Sequence, residues 1–443
     1  MRVGAVQVPS APTPRGKLFT MMLLQIFIWG AWLPLIFAYL PTLGFSPTEQ
    51  SWILNAFPVA AIIGLFFSNQ FADRNFAAEK FLSFSHLIGG LAMFGLTMTT
   101  SFWPFLILMW VHCLFYVPTI SITNSIAFAH MKDPATEFGP IRMGGTVGWI
   151  LAAWPFAFIL VDWAAVRAAE PDGLIELIGT ALGSGLTGDA LRAATPWTFR
   201  VAGIASLALA VYSLFLPHTP ANKARDNSMD KLAWLEALKL LKHPFILVLW
   251  IVTLADSFVH NAFFNWAAVF FGSDTVGIPG NWIMPVMSIG QVAEILTMIV
   301  LGTVLKKLGW RVTMMVGILG YTFRFAVFAW FPESTLFIVL VNLVHGICYA
   351  FFFATVYIFV DAHFPEDARS SAQGLFNVMI LGVGALIANS ICPWLLQTVY
   401  TVNGVTDFKS MFMIPMAISI LAALLLAFGF RPPTNVQSRP NLN

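Results

Sequence analysis

Charge is what this sequence has least of. Of its 443 residues only 10% are Asp, Glu, Lys or Arg while 58% are hydrophobic, and the mean hydropathy is +0.79; an ordinary soluble domain carries roughly 25% charged residues. That excludes a soluble globular protein and marks an integral membrane chain, whose spans rather than its length set its organisation. Cysteine is scarce too. Cys113, Cys348 and Cys392 lie singly in apolar runs, without the C-x-x-C spacing of a metal or redox site, and are expected to be small packing residues. No G-x-x-x-x-G-K-[ST] segment occurs, which removes a nucleotide-driven pump. A net charge of +2, with no basic stripe interleaved with aromatics, removes a nucleic-acid partner. The opening MRVGAVQVPSAPTPRGK is basic and Pro-rich with no apolar core before Leu18, so the first span itself is expected to serve as the targeting signal.

What the chain does have is one apolar run after another. A helix needs about 20 mostly apolar residues to cross a bilayer, and breaking the sequence at its charge and Pro/Gly clusters predicts spans at 18–40, 50–71, 81–100, 103–130, 140–162 and 197–216, then 244–271, 281–305, 312–331, 335–360, 370–397 and 410–430. The fold class is therefore all-α integral membrane, with twelve transmembrane helices in two six-helix bundles, 18–216 and 244–430. A segment 1–17, a linker 217–243 and a tail 431–443 flank them. Cytoplasmic loops should hold the excess of Lys and Arg. Of the 23 such residues, 17 fall on the side of both termini, four (Arg167, Arg192, Arg200, Lys409) fall opposite, and Arg142 and Arg324 lie at or within spans. Both termini are predicted to be cytoplasmic, in a cell (inner) membrane.

In the linker, Leu232, Leu235, Leu238 and Leu241 recur beside Lys231, Lys239 and Lys242, as in an amphipathic helix lying on an anionic leaflet; a plain linker fits equally. The longest external loop, 163–196, is expected to form a short surface helix over GLIELIGTALGSGL. Each half carries charge after its second span, FADRNFAAEK and LKKLGWR, and such duplicated six-span halves define the major facilitator architecture, with cargo held near mid-bilayer. In that fold Asp73 and Arg74 would gate the cytoplasmic end; ordinary interfacial charges are the plain alternative.

Acids and bases inside spans cost about 2.5 to 3.5 kcal/mol on insertion scales, so they usually mark a cavity. Glu294 lies midway along span 8 with Gln291 on the same helix face. Desolvation favours its neutral form and a nearby cation its carboxylate, so a carboxyl poised between the two can carry a proton; a permanently protonated glutamate in the bundle is the bland alternative. In span 5, PIRMGGTVGWI places Arg142, Thr146 and Trp149 in one stripe and supplies three glycines for close helix approach, though Arg142 could instead snorkel to the interface. Span 7 offers Asp256, which could simply be wet near a span end, with His260, Asn261 and Asn265. The amides suit hydroxyls or base edges, or serve as glue between helices. His345 and Tyr349, four residues apart in span 10, can stack on a planar ligand and donate a hydrogen bond, with a packed histidine as the alternative, and Arg324 is expected to be structural, paired with an acid or backbone carbonyls within the second half. Gln25, Trp29 and Trp32 could wall a cavity from span 1; in span 4 Pro118 frees a carbonyl, and Thr119, Thr123 and Asn124 could line the pathway but are expected rather to refill that bond.

These stretches, WGAW, VPT followed by Asn124, PIRMGGTVG, QVAE, RFAVFA and SSAQGLF, keep their order from near residue 18 to 430, and the chain resembles the nucleoside:proton symporter family of the major facilitator superfamily. The resemblance implies uptake of a nucleoside with a proton by alternating access, no further cofactor, and a central site to which Arg142, Thr146, Gln291, Glu294 and Asn261 contribute. Phe258, His345, Tyr349 and Ala350 depart from that family's glutamine, tyrosine, phenylalanine and acid. A sugar, nucleobase or other metabolite is the alternative cargo. A multi-span enzyme would need clustered catalytic groups, to which HFPEDAR at 363–369 is the nearest approach. The small-molecule solute and the lipid bilayer are the partners expected, with a monomer favoured.

Overall fold

The computed structural model describes residues 12–64, 75–221, 239–363 and 374–431. Asp73 and Arg74, most of the linker including Leu232 to Leu238, and all of HFPEDAR except His363 lie outside them. Among the described residues the fold is helical apart from a two-residue antiparallel hairpin, Thr401–Val402 with Val405–Thr406, turned by Asn403 and Gly404 at positive φ. Among the described residues eight helices are long and apolar enough to cross a membrane. One of them, Gly280–Trp330, runs 51 residues and breaks at Gly309, whose φ of 73° is open to glycine at no steric cost. It therefore covers two predicted spans, the eighth and the ninth.

Local sequence explains the ends. Pro47 opens the helix Pro47–Leu54, and Ser46 and Glu49 close a reciprocal capping box before it. Asn55 interrupts the run before Ala56–Ile63 resumes. The external loop carries the expected short helix, Gly173–Gly183, preceded by Trp163–Ala168, which the Asp162 side chain caps. The tenth predicted span is built from Thr335–Val341, Val344–Cys348, a π-helical stretch Tyr349–Ala354 and Thr355–His363. All three cysteines are unpaired and buried.

The chain forms two compact units. The first contains described residues 12–33, 75–152 and 196–221. Its centre is polar. Gln25 donates to Thr119 Oγ1 at 2.9 Å and meets His86 Nε2 at 2.9 Å, His86 Nδ1 meets Ser206 Oγ at 3.1 Å, and Tyr116 donates to the Gln25 carbonyl. His86, His112, Gln25, Thr119 and Ser206 are fully buried, so Gln25 turns into the bundle core and is no cavity wall. Thr119 and Thr123 bond the Tyr116 and Ile120 carbonyls one turn back, but neither reaches the Leu114 carbonyl that Pro118 leaves without its N–H, so the expected mending of the helix is not made by these hydroxyls. At the ends, Arg15 and Thr13 clamp Glu137; these bonds hold its carboxyl down at about 2.

Glu79 is bonded by His218 Nδ1 at 2.7 Å and by the Thr219 N–H at 2.9 Å. Burial pushes this carboxyl up, but the hydrogen bonds outweigh it and hold it below its ordinary value. A depressed acid stabilises the fold above its unfolded value and loses that contribution as pH falls through the folded one. Glu79→Gln should therefore melt a few degrees lower than the wild type at pH 7, with the gap closing below about pH 4; a gap constant with pH in thermal scans of the purified protein would contradict this.

The second unit contains described residues 34–64, 153–195, 239–363 and 374–431. Phe263, Phe270, Phe271, Phe325, Phe328 and Phe412 interlock with ring centroids 4.8 to 6.5 Å apart. Residues of the second predicted span bond the eleventh here: Asn55 donates to Ser390 Oγ at 2.9 Å, Asn389 to the Leu54 carbonyl at 3.1 Å, and Gln397 to Gln50 at 2.8 Å. The loop joins as well, for Trp282 and Asn281 both donate to the Leu182 carbonyl.

Candidate functional site

Arg142, Thr146 and Trp149 lie in the first unit, on the helix Pro134–Ala153. Gly144 and Gly148 let this helix touch the backbone of the first span. A side chain at Gly144 would meet the Phe19 carbonyl at 2.5 Å, and one at Gly148 would collide with that of Leu23. The Arg142 guanidinium folds over Gly145, where a Cβ would fall 2.6 Å from Nη1. Trp149 is buried edge-on against Trp29, with centroids 5.5 Å apart at 84°. Close packing thus fixes the stripe against the first span, leaving Arg142 and Thr146 half-buried.

The second unit holds Asn261, Gln291, Glu294, His345 and Tyr349. Three helices meet around them, Pro244–Phe271, the first part of Gly280–Trp330, and Val344–Cys348. Gly290 abuts His345, since a Cβ there would lie 2.8 Å from that of His345, and a side chain at Gly346 would strike the backbone of Ala293 and Glu294. Two glycines therefore bring the eighth and tenth predicted spans into backbone contact beside Gln291 and Glu294. Gln291 is buried, and its amide, assigned from hydrogen bonding, donates to the Met287 and Ser288 carbonyls at 3.0 and 3.3 Å. Glu294 is half-buried.

His260, beside Asn261, stacks on His345 at 5.4 Å and 26° and lies 6.3 Å from Tyr349. Arg324 Nη1 donates to His345 Nδ1 at 3.2 Å. A guanidinium has no acceptor, so neutral His345 carries its proton on Nε2, the nitrogen left to donate. Arg324 is fully buried with its guanidinium carbon 3.7 Å from the Phe263 ring centroid. Its partners are thus a histidine and an aromatic face rather than an ion-paired acid. The π-helical turn that begins at Tyr349 widens the tenth span just past this cluster, a distortion frequent at functional sites.

Asn261 and Asn265 take different roles. Asn261, half-buried, donates to the Ser257 carbonyl of its own helix. Asn265 donates to Asn389 Oδ1 at 2.9 Å, and Asn389 in turn to Leu54, so Asn265 is helix-to-helix glue. The expectation of a wet Asp256 is overturned, since this residue is 1% exposed. Buried His86 has only glycines at i+3 and i+4, so its presence in an apolar run is the one signal that could have flagged it; His112 has Tyr116 at i+4 and stacks on it with centroids 5.2 Å apart, the same spacing signal that singled out His345 and Tyr349.

Comparison with known proteins places this geometry. The model of the nucleoside H+ symporter family matches residues 14–192 and 173–435. Among curated relatives, the xanthosine permease of Escherichia coli (strain K12) is 28% identical over 94% of this chain and 95% of its own length. The nucleoside permease NupG of the same organism is 26% identical over 94% and 96%. These relatives are permeases, not enzymes. The crystal structure of nucleoside transporter NupG superposes with a TM-score of 0.77 at 23% identity, covering 95% of this chain and 99% of that one; that of a D-xylose-proton symporter does so at 0.65 and 14%, covering 95% and 98%. The shared fold is that of the major facilitator transporters.

Proposed function

Given that the chain belongs to the nucleoside H+ symporter family, we propose that it imports nucleosides by alternating access with Glu294 as the proton carrier. Membership already makes it a proton-coupled nucleoside transporter that crosses the membrane several times. The finer reading keeps twelve spans in two six-helix bundles, 18–216 and 244–430, with both termini cytoplasmic in the cell (inner) membrane. Arg142 supplies the compensating positive charge, and the proton is the sole coupling species. Asn261, Gln291, His345 and Tyr349 offer amide, imidazole and aromatic groups to a base and a ribose, and Thr146 and Trp149 a hydroxyl and a ring.

The observation that carries this reading is the position of Glu294. It is a half-buried carboxyl one turn from a buried amide, on a helix held in backbone contact with the His345 helix. Such a group can change charge when water reaches it, and a change of charge there alters which arrangement of the helices is favoured. Asp73 and Arg74 retain the proposed gating role at the cytoplasmic end.

Binding of uridine, adenosine and xanthosine to purified protein at several pH values, with glucose and adenine as competitors, tests it. One nucleoside should bind selectively and tighten as pH falls, because proton and cargo binding are linked. Tighter binding of glucose or of the free base than of every nucleoside would overturn the cargo; nucleoside binding indifferent to pH would overturn the coupling.

A further inference from the structure

Asp256 lies in the helix Pro244–Phe271 with 1% of its surface exposed, and neither carboxylate oxygen has a hydrogen-bond partner among the described residues. Fully buried Arg324 is similarly incomplete, as its Nε and Nη2 have none. The two interact electrostatically but not by a hydrogen bond or an ion pair of contact distance. Buried polar groups are almost always hydrogen-bonded, and an uncompensated buried charge is among the costliest features a fold can carry. An acid and a base stranded side by side therefore call for a second arrangement that satisfies them, or for a proton.

The surroundings define the readout. Tyr321 and Arg324 face Asp256 from the ninth predicted span, and Cys348 from the tenth. His260 is one turn further along its own helix, hydrogen-bonded to Tyr321 at 2.6 Å, and His345 and Tyr349 complete the ring of titratable groups. The eleventh and twelfth spans, which also pack on this helix, bring no charged side chain in 374–399 or 411–429. Arg324 is thus the single cation of the cluster, shared between an acid it does not touch and a histidine it does.

We propose that Asp256 binds and releases a proton during the transport cycle and signals its charge to the nucleoside site through Arg324 and His345. The step is one proton transfer. On uptake a hydronium O–H bond breaks, leaving water, as an O–H bond forms on the carboxylate; on release that bond breaks and water takes the proton as hydronium. With Asp256 protonated, Arg324 stays on His345 Nδ1, as seen here. With Asp256 ionised, the guanidinium is drawn to the carboxylate and leaves His345, whose Cβ packs on Gly290 next to Gln291. The inference rests on the proposed role of Glu294 but assigns a second acid. The helix rearrangement that follows protonation of Glu294 is what lets Asp256 exchange its own proton, so a chain that cannot protonate Glu294 couples neither.

The test is proton uptake per uridine transported, read with a pH indicator inside liposomes, with counterflow in parallel. Asp256→Asn should carry one proton fewer than the wild type and lose the corresponding pH dependence, while counterflow stays within about threefold. If it fails to fold because Arg324 is stranded, the neutral pair Asp256→Asn with Arg324→Gln removes both charges and takes the same measurement. A wild-type proton count and pH profile in either variant would overturn the proposal. Glu294→Gln separates the two readings: uphill uptake by that variant alongside a proton deficit in Asp256→Asn would sink the role of Glu294 and leave that of Asp256, and the converse would sink Asp256 alone.

Discussion

Glu294→Gln is expected to abolish uphill accumulation of nucleoside while leaving counterflow partly intact. The amide keeps the size and hydrogen-bonding reach of the acid but cannot ionise, so it removes the proton and little else. A gradient of one pH unit is about 1.4 kcal/mol and supports roughly a tenfold concentration ratio per proton. Under that gradient the wild type should fill liposomes to about this ratio or beyond, and the variant should stop near equality. Exchange of cargo for cargo needs no net proton, which is why counterflow should survive. Full concentrative uptake by the variant would refute the assignment.

Gly346→Ala should be nearly as damaging, for a steric reason. Its new methyl would land on the backbone of Ala293 and Glu294, and a main chain cannot yield as the tip of a long side chain can. Overpacking of this kind costs about 1 to 3 kcal/mol, enough for a tenfold or greater loss of uptake through displacement of Glu294. Gly302→Ala is the control, on the long helix Gly280–Trp330 that carries Glu294. Nothing lies within 4 Å of a Cβ there, and a helical Gly to Ala change gains roughly 0.5 to 1 kcal/mol. Uptake and thermal stability of the pair should diverge; equal behaviour would show that the contact between these helices has no bearing on transport.

Much of this was legible in the residues. Apolar runs and the sorting of Lys and Arg marked the membrane chain, and Glu294, Gln291 and Arg142 stood out because a bilayer seldom tolerates them. The surface helix at Gly173–Gly183 followed from its composition. What could not be read was which polar residue meets which. Asn261 and Asn265 have the same spacing signal, yet one bonds within its helix and the other bridges to Asn389, 124 residues away. Asp256 resembled a wet span end, although the helix Pro244–Phe271 continues well past it on both sides and its side chain is buried. Gln25 shares a helix face with Trp29 but is claimed by His86 and Thr119, and helical periodicity does not encode such choices.

The sequence alone determined the solvent, the helical class and the family, because each follows from residue types and their order along the chain: hydrocarbon admits only backbones that satisfy their own hydrogen bonds, and the quoted motifs recur in register. Tertiary structure alone decided the company each polar group keeps. Gly317 and Gly320 set how closely the ninth and tenth predicted spans approach, and across that contact Arg324 reaches His345 while making no hydrogen bond to Asp256. Partner choice is a property of distances across helices, which side-chain spacing within one helix leaves open.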